Sequence, residues 1–348
     1  MNTNLGAPHF PDKIKLMCYR SAKCLLVVLA AGLFTISCTK TGSEKTGFPP
    51  ALFSAGLLPE GSRAEGAAGT AQGKTDADVE EAVTGIQGEA ELPDLAETIA
   101  RFFWGLGGND PDREAFVEDF WRWIFGEAGI PEYLARKVAV ASLESPAFIM
   151  ELLMILQQDP FTYFLVDKLN PLPDAYEPDD LVSLSAGAYR LNREGLELRS
   201  IAAAALEEMA LAATRDGINL VVGSAYRSAQ YQAQVYEREV RTYGREVADR
   251  QSARPGTSQH QLGLVADFAP IDDAFAETPA SRWLSANSGR FGWSLSYPDG
   301  YEEVTGYRWE SWHYRFVGKD LAAFIENYFD GIQQYALQFI RAWQKLEE

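Results

Sequence analysis

The stretch SQHQLGLVADF, residues 258–268, holds a histidine, a glycine and, seven residues after the histidine, a carboxylate. The 348-residue chain has only three histidines, so a place given to His260 asks for a reason. The last of the three, His313, lies in ESWHYRF, residues 310–316, again beside a carboxylate. WHYRFVG reads as a strand, with His313 and Arg315 on one face and Trp312, Tyr314 and Phe316 on the other. Glu310 would fall on the face opposite His313 in an unbroken strand, so the chain has to turn around Ser311 for the two to meet. A catalytic zinc typically takes three protein ligands and keeps a fourth position for water. His260, Asp267 and His313 suit it chemically, because two neutral imidazoles and one carboxylate leave the metal net positive. Glu310, not needed as a ligand, is then the natural general base. This is not the helical HExxH arrangement, in which both histidines and the glutamate share one helix. On spacing alone, ligands and satisfied core histidines remain level readings.

Composition sets the frame. Hydrophobic residues make up 47% and charged residues 23%, the balance of a folded soluble protein with a sizeable core. Against 49 acidic residues stand 31 basic ones, a net charge of −18, which argues against a nucleic-acid groove. Near the N-terminus, Lys13, Lys15, Arg20 and Lys23 precede CLLVVLAAGLF, too short to span a bilayer well and built like the apolar region of a signal peptide. The run ends at TISC, and a small residue before Cys38 resembles the lipobox of bacterial lipoproteins, although Thr35 and Ile36 depart from its usual pattern. Residues 1–38 are therefore expected to be a signal segment lipidated at Cys38, with the protein extracytoplasmic and membrane-anchored in the cell envelope; a plain cleaved signal or an uncleaved anchor is the alternative. Cys18 and Cys24 lie inside that signal, so no pair remains for a disulfide.

Residues 39–93 are rich in Gly, Ala, Glu, Ser and Thr and read as a flexible tether. Residues 94–166 turn helical, with starts at Asn109-Asp110-Pro111 and Ser145-Pro146. FFW (residues 102–104) and FWRWIF (residues 120–125) are expected to be core or a docking face, with lipid headgroups or a partner as the alternative. Residues 167–348 alternate signals. Leu198, Ile201, Ala205, Met209 and Ala212 mark a helix stopped by Gly217, INLVVGS a buried strand, and Ala229 to Tyr243 a helix closed by Gly244.

The motifs of this last region resemble those of the VanY-type D-alanyl-D-alanine carboxypeptidases, within the wider zinc peptidases that include lysostaphin and the hedgehog-like fold. Ser258, His260, Gly263 and Asp267 match the family's Ser-x-His-x-x-Gly-x-x-x-Asp; Glu310, Trp312 and His313 match its Glu-x-x-His with a preceding Trp. SAYRSAQYQ supplies Tyr226, Arg227, Ser228 and Gln232, with Ala225 where glycine is usual. NPLPDAYEPDDLVSL, ARPGTSQHQLG and the segment YPDGYEEVTGYRWESWHYRFVG also resemble family sequence.

The resemblance implies an α+β fold, a small antiparallel sheet flanked by helices with the metal on one face, preceded by the helical segment. It implies Zn2+ on His260, Asp267 and His313. Glu310 would take a proton from the attacking water and pass it to the leaving amine, and Arg227 would hold a terminal carboxylate or the developing oxyanion. Tyr226, Ser228, Gln232, Ser258 and Trp312 are candidate substrate contacts, each also readable as packing. The implied function is removal of a terminal D-alanine from peptidoglycan stem peptides. An L,D-carboxypeptidase acting on tetrapeptide stems is the nearest rival, and an inactive cell-wall-binding lipoprotein is the rival from another class. The intact ligand set and Glu310 speak against the binder.

Overall fold

The computed structural model describes residues 112–347. The signal-like segment with Cys38, the tether 39–93, residues 94–111 with FFW, and the Pro111 helix start lie outside the described residues.

Four helices open the described chain: α1 (Asp112–Trp123), α2 (Glu132–Glu144), α3 (Pro146–Leu156) and the short α4 (Pro160–Tyr163). A π-helical turn, Ile124–Ala128, joins α1 to α2 and ends on Gly129 in the left-handed region. Of the FWRWIF aromatics, Phe120, Trp121 and Trp123 are buried and Phe125 is exposed. Among the described residues no single helix is long and apolar enough to cross a membrane.

The middle of the chain builds the sheet from β1 (Leu181–Ser183), β2 (Arg190–Leu191), β3 (Glu197–Arg199), β4 (Val221–Ser224), β5 (Val265–Phe268), β6 (Trp293–Leu295) and β7 (His313–Phe316). A pair, β1–β3, stands apart from a five-stranded sheet ordered β2-β4-β5-β7-β6. That sheet is antiparallel except at its edge, where β2 runs parallel to β4. The exception has a topological cause: β3 and helix α5 (Ser200–Arg215) lie between β2 and β4, and a crossover of that length returns the chain in its original direction. Helices α6 (Ala229–Tyr243) and α7 (Arg245–Gln251) follow β4, α8 (Pro279–Asn287) and α9 (Glu302–Thr305) flank β6, and α10 (Lys319–Tyr328) and α11 (Gln333–Glu347) close the chain. The architecture is thus α+β, with small sheets among helices.

Two apolar cores divide the interior. Leu206, Met209, Val222, Phe268, Trp293 and Tyr314 pack helix α5 onto one face of the sheet. The other core is helical and joins distant parts of the chain: Phe120 and Phe148 from the opening helices meet Phe324, Phe329, Phe339 and Trp343 from the closing ones. The first and last helices therefore form one bundle beside the sheet.

Strands β5 and β7 are buried at every residue, unlike a strand with one wet face. Tyr314 and Phe316 enter the sheet core, while His313 and Arg315 face the other way, as the alternation predicts. Arg315 is wholly buried, and its Nη2 donates to the carbonyls of Phe161, Thr162 and Phe164 at 3.1, 3.1 and 2.8 Å. Those bonds gather carbonyls in and just after α4 and tie the opening helices to the site-bearing strand.

Phe339 is buried completely and touches Phe148, Phe324, Phe329 and Trp343. Phe339→Ala should cost about 3–5 kcal/mol of folding stability. Urea denaturation checks it, and a loss under about 1 kcal/mol, the range of a peripheral contact, would show that the two helical ends do not share a core.

Candidate metal centre and cavity

The site is assembled where β5 and β7 pair. Their register sets Asp267 directly opposite His313. His260 arrives from the 3-10 turn Gln259–Leu262, whose first residue follows Ser258; the Ser258 hydroxyl accepts the His260 backbone N–H at 3.3 Å. Gly263 then reverses the chain into β5 at φ +69, and a Cβ there would stand 2.9 Å from Arg199 Cγ, so both backbone and space demand glycine. These local devices turn a seven-residue spacing into two side chains at one point.

Glu310 joins them through the turn expected at Ser311. The His313 N–H donates to the Glu310 carbonyl at 3.2 Å, and Glu310 Oε2 comes within 3.4 Å of His313 Nδ1.

The protons on the two imidazoles are fixed from behind. His260 Nδ1 lies 2.6 Å from the Ala225 carbonyl, which can only accept, so Nδ1 carries the proton and Nε2 offers a lone pair. His313 Nε2 lies 3.3 Å from Gln259 Oε1, leaving Nδ1 as the free lone pair. Each free nitrogen faces Asp267: His260 Nε2 is 3.1 Å from Oδ2, and His313 Nδ1 is 3.1 Å from Oδ1. Yet His260 Nε2 and Asp267 Oδ1 are buried without a hydrogen-bond partner. Close contact without a hydrogen bond is what facing lone pairs produce. One donor atom from each of the three residues lies within 4.8 Å of the other two, a group that could hold a metal ion. Orphaned donors, a mixed nitrogen and oxygen set, and acceptors holding the far side of each ring all fit a divalent cation such as zinc.

Electrostatics point the same way. Burial, then the charge of Arg227, push His260 down to about 4, so it is neutral near pH 7. Burial alone would raise Asp267, but a positive charge or an N–H donated by either imidazole outweighs it and takes the carboxyl well below its usual range, so Asp267 is not the group that holds a proton. Glu310 goes up to about 8, first from burial and then from the neighbouring Asp267 charge.

A cavity of about 420 Å³ opens over these groups. Arg227, Ser258, Tyr297, Arg308 and Trp312 stand in its wall with the metal-binding group and Glu310. Arg227 is tied to the site by its backbone N–H, which donates to the His260 carbonyl at 3.3 Å. Its Nε is buried without a partner. Burial lowers its pKa, opposed by Asp267 and Glu310. Arg308 pairs with Asp273 at the rim and lies 5.7 Å over the Trp312 ring.

Tyr226, Ser228 and Gln232 do not belong to that wall. The Ser228 hydroxyl caps α6 by accepting the Tyr231 N–H at 3.2 Å. Gln232 is buried and donates to the Ala253 carbonyl at 2.7 Å, fastening α6 to the loop after α7. The Tyr226 N–H donates to the Glu197 carbonyl at 2.9 Å, next to the sheet edge. Residues that sequence reasoning missed are Gln259, Ser296 and Tyr297, whose ring lies 4.6 Å from that of His313. Gln259 sits inside the quoted motif, between Ser258 and His260, and its position there was the available signal.

With this geometry in place, comparison with known proteins gives the site its class: residues 195–319 match the family model for VanY, described as D-alanyl-D-alanine carboxypeptidase. The matched span holds all three donors, Glu310 and Arg227. A D-alanyl-D-alanine carboxypeptidase of Enterococcus faecalis is 33% identical over an alignment of 174 residues that covers 47% of this chain; the chain spans 62% of that protein's length. A solved structure of the LD-carboxypeptidase LdcB is 34% identical, covering 50% of this chain and 89% of the other with a TM-score of 0.45. A vancomycin-resistance D,D-pentapeptidase VanY solved with Zn(II) is 32% identical, covering 50% of this chain and 98% of that one with a TM-score of 0.43. Residues 195–319 are thus a domain of the VanY family, described as D-alanyl-D-alanine carboxypeptidase.

The raised Glu310 carboxyl has a consequence for the metal-free protein. Its protonated form is the one the fold favours, so that stability is whole below the ordinary value of 4.5 and is lost as pH rises through about 8. Glu310→Gln, which cannot ionise, should melt several degrees above the native chain at pH 9 and nearly with it at pH 5, both in chelator. The same difference at both pH values would show that ionisation of Glu310 does not cost the fold.

Proposed function

We propose that the chain is a zinc-dependent D,D-carboxypeptidase that removes the terminal D-alanine from peptidoglycan stem pentapeptides. The observation that carries this reading is the buried His260–Asp267–His313 donor group with Glu310 at its edge and, in the same cavity, Arg227 with its Nε unpartnered. The family match and the relatives' names support the substrate class. When bound, zinc would supply Lewis acidity that activates water and polarises the scissile carbonyl, and its charge would favour the ionised form of Glu310.

The chain's own groups do the rest. Glu310 Oε2, beside the ligand nitrogen of His313, accepts the proton of the attacking water and returns it to the leaving amine. Arg227 offers a planar, permanently charged fork to a peptide's terminal carboxylate, and its burial strengthens that pairing. Trp312 and Tyr297 wall the reacting end, where an apolar wall suits an alanyl methyl group. Ser258 serves the site by holding the His260 backbone.

Cutting the last residue from a tetrapeptide stem is the second reading, favoured by the similarity to LdcB. The same groups serve both cuts, because each releases a carboxyl-terminal D-alanine and only the residue before the scissile bond differs. We also place the protein outside the cytoplasm as a lipoprotein held through Cys38, the compartment in which such peptides occur; palmitate labelling of the expressed chain tests it, with Cys38→Ala as the unlabelled control.

Incubating the full chain with purified pentapeptide and tetrapeptide stems, with and without chelator, tests the activity by product mass. D-Alanine release from the pentapeptide, abolished by chelation, is expected. Release only from the tetrapeptide selects the L,D reading, and no release from either with zinc bound removes both and leaves a wall-binding protein. Glu310→Gln should retain zinc and lose about 10²- to 10⁴-fold in kcat. Arg227→Ala should lose roughly tenfold to a hundredfold in kcat/KM, the worth of one hydrogen bond to a charged group.

A further inference from the structure

The hydrogen bonds behind His313 run past residue 319, where the family match ends, into the closing helix. His313 Nε2 is 3.3 Å from Gln259 Oε1, and that oxygen accepts from Ser296 Oγ at 2.7 Å. Ser296 also donates its backbone N–H to the His313 carbonyl at 3.2 Å. Next comes Gln333, the first residue of α11: its Nε2 donates to the Ser294 carbonyl at 3.3 Å, and its Oε1 lies 3.4 Å from Ser296 Oγ. Gln259, Ser296 and Gln333 are 3%, 2% and 1% exposed, so none of these bonds is exchanged with water. The neighbouring Gln334 donates to Asp167 Oδ2 at 2.9 Å and anchors the same helical turn.

An amide such as Gln259 can present either its oxygen or its nitrogen, and the choice decides the chemistry of His313. If the nitrogen faced the ring, Nε2 would have to accept and Nδ1 would carry the proton, leaving no lone pair for a cation. The Ser296 hydroxyl has one proton and gives it to the nearer acceptor, Gln259 Oε1, which holds the amide oxygen toward the ring. Ser296 keeps that place because Gln333 grips the backbone of its strand at Ser294.

We propose that Gln259 is a positioning residue that keeps His313 in the tautomer able to bind a metal. By the same chain of bonds Gln333, on the C-terminal helix, positions Gln259 through Ser296. The inference rests on the metal-site reading, and it makes the closing helix part of that site's support, which residues 195–319 alone do not contain.

Zinc competition titrations on the full chain, with cobalt d–d spectra and melting curves in chelator, test it. Gln259→Leu should weaken zinc binding about 10- to 100-fold. Gln259→Glu, which keeps an acceptor for the Nε2–H, should restore most of that. Gln333→Leu and Ser296→Ala should each weaken binding about threefold to tenfold, the scale of one hydrogen bond. Because Gln333 acts through Gln259, the double variant Gln259→Leu/Gln333→Leu should bind no more weakly than Gln259→Leu alone. Native zinc affinity in Gln333→Leu, or additive losses in the double variant, overturns the proposal and leaves Gln333 a purely structural residue. Should Gln333→Leu fail to fold, Ser296→Ala decides alone, and native affinity there overturns it equally. Absence of zinc binding by the native chain is a separate outcome, which removes the metal site and this proposal together.

Discussion

Three buried atoms with lone pairs and no proton between them are the constraint on which the site depends. The Asp267 carboxyl lies well below its usual range despite its burial, and His260 is held neutral by burial and by Arg227. Each imidazole spends its one proton on an acceptor behind it, the Ala225 carbonyl for His260 and Gln259 Oε1 for His313. In an apolar interior, unpaired donors and acceptors of this kind cost free energy unless a further group satisfies them. A cation does so for all three at once. The surrounding structure is thus arranged to preserve an arrangement that would be unfavourable on its own, which is a mark of a functional site rather than of a stabilising one.

Much of that site could be read before any coordinates, because it is encoded locally. A glycine that must be left-handed, a serine that caps a turn and a strand that alternates faces all act within a few residues. His260, Asp267, His313 and the bend at Ser311 accordingly came out where the sequence put them. The helix ends at Gly217 and Gly244 were legible for the same reason. What escaped were groups whose role is set by distant chain. Gln259 is one residue from His260, yet only Ser296 and Gln333 give its amide a direction. Ser228 and Gln232 sit in a motif that looks like a binding segment, while their side chains are taken by a helix cap and a loop. The parallel pairing of β2 was likewise invisible, since two residues of strand carry no periodicity.

The helical bundle adds a further layer that no motif announces. Opening and closing helices meet in a core of stacked aromatics, and Arg315 ties the opening set to the strand that bears His313. Gln333 ties the closing set to the neighbouring strand. The two ends of the described chain therefore grip the β6–β7 edge of the sheet from both sides. A metal site with rigid ligands gains from this, because each ligand that is held in place beforehand is one less to be ordered when the cation binds.

The charge balance raises an apparent conflict: a chain with net charge −18 is proposed to take a substrate ending in a carboxylate. Distance resolves it. At physiological ionic strength, exposed charges are screened beyond about 8 Å, so most of the acidic surface contributes little inside the cavity. Buried pairs are screened far less, and there the balance is different. Arg227 lies in the cavity wall with no acceptor on its buried Nε, and Glu310 is held protonated in the metal-free protein. A bound dication would offset the charges of both Asp267 and an ionised Glu310, leaving that of Arg227 in excess. The local field met by an arriving carboxylate is positive although the molecule is acidic. Attraction by Arg227 can therefore select the free end of a peptide over its interior, which is the discrimination that separates a carboxypeptidase from an endopeptidase.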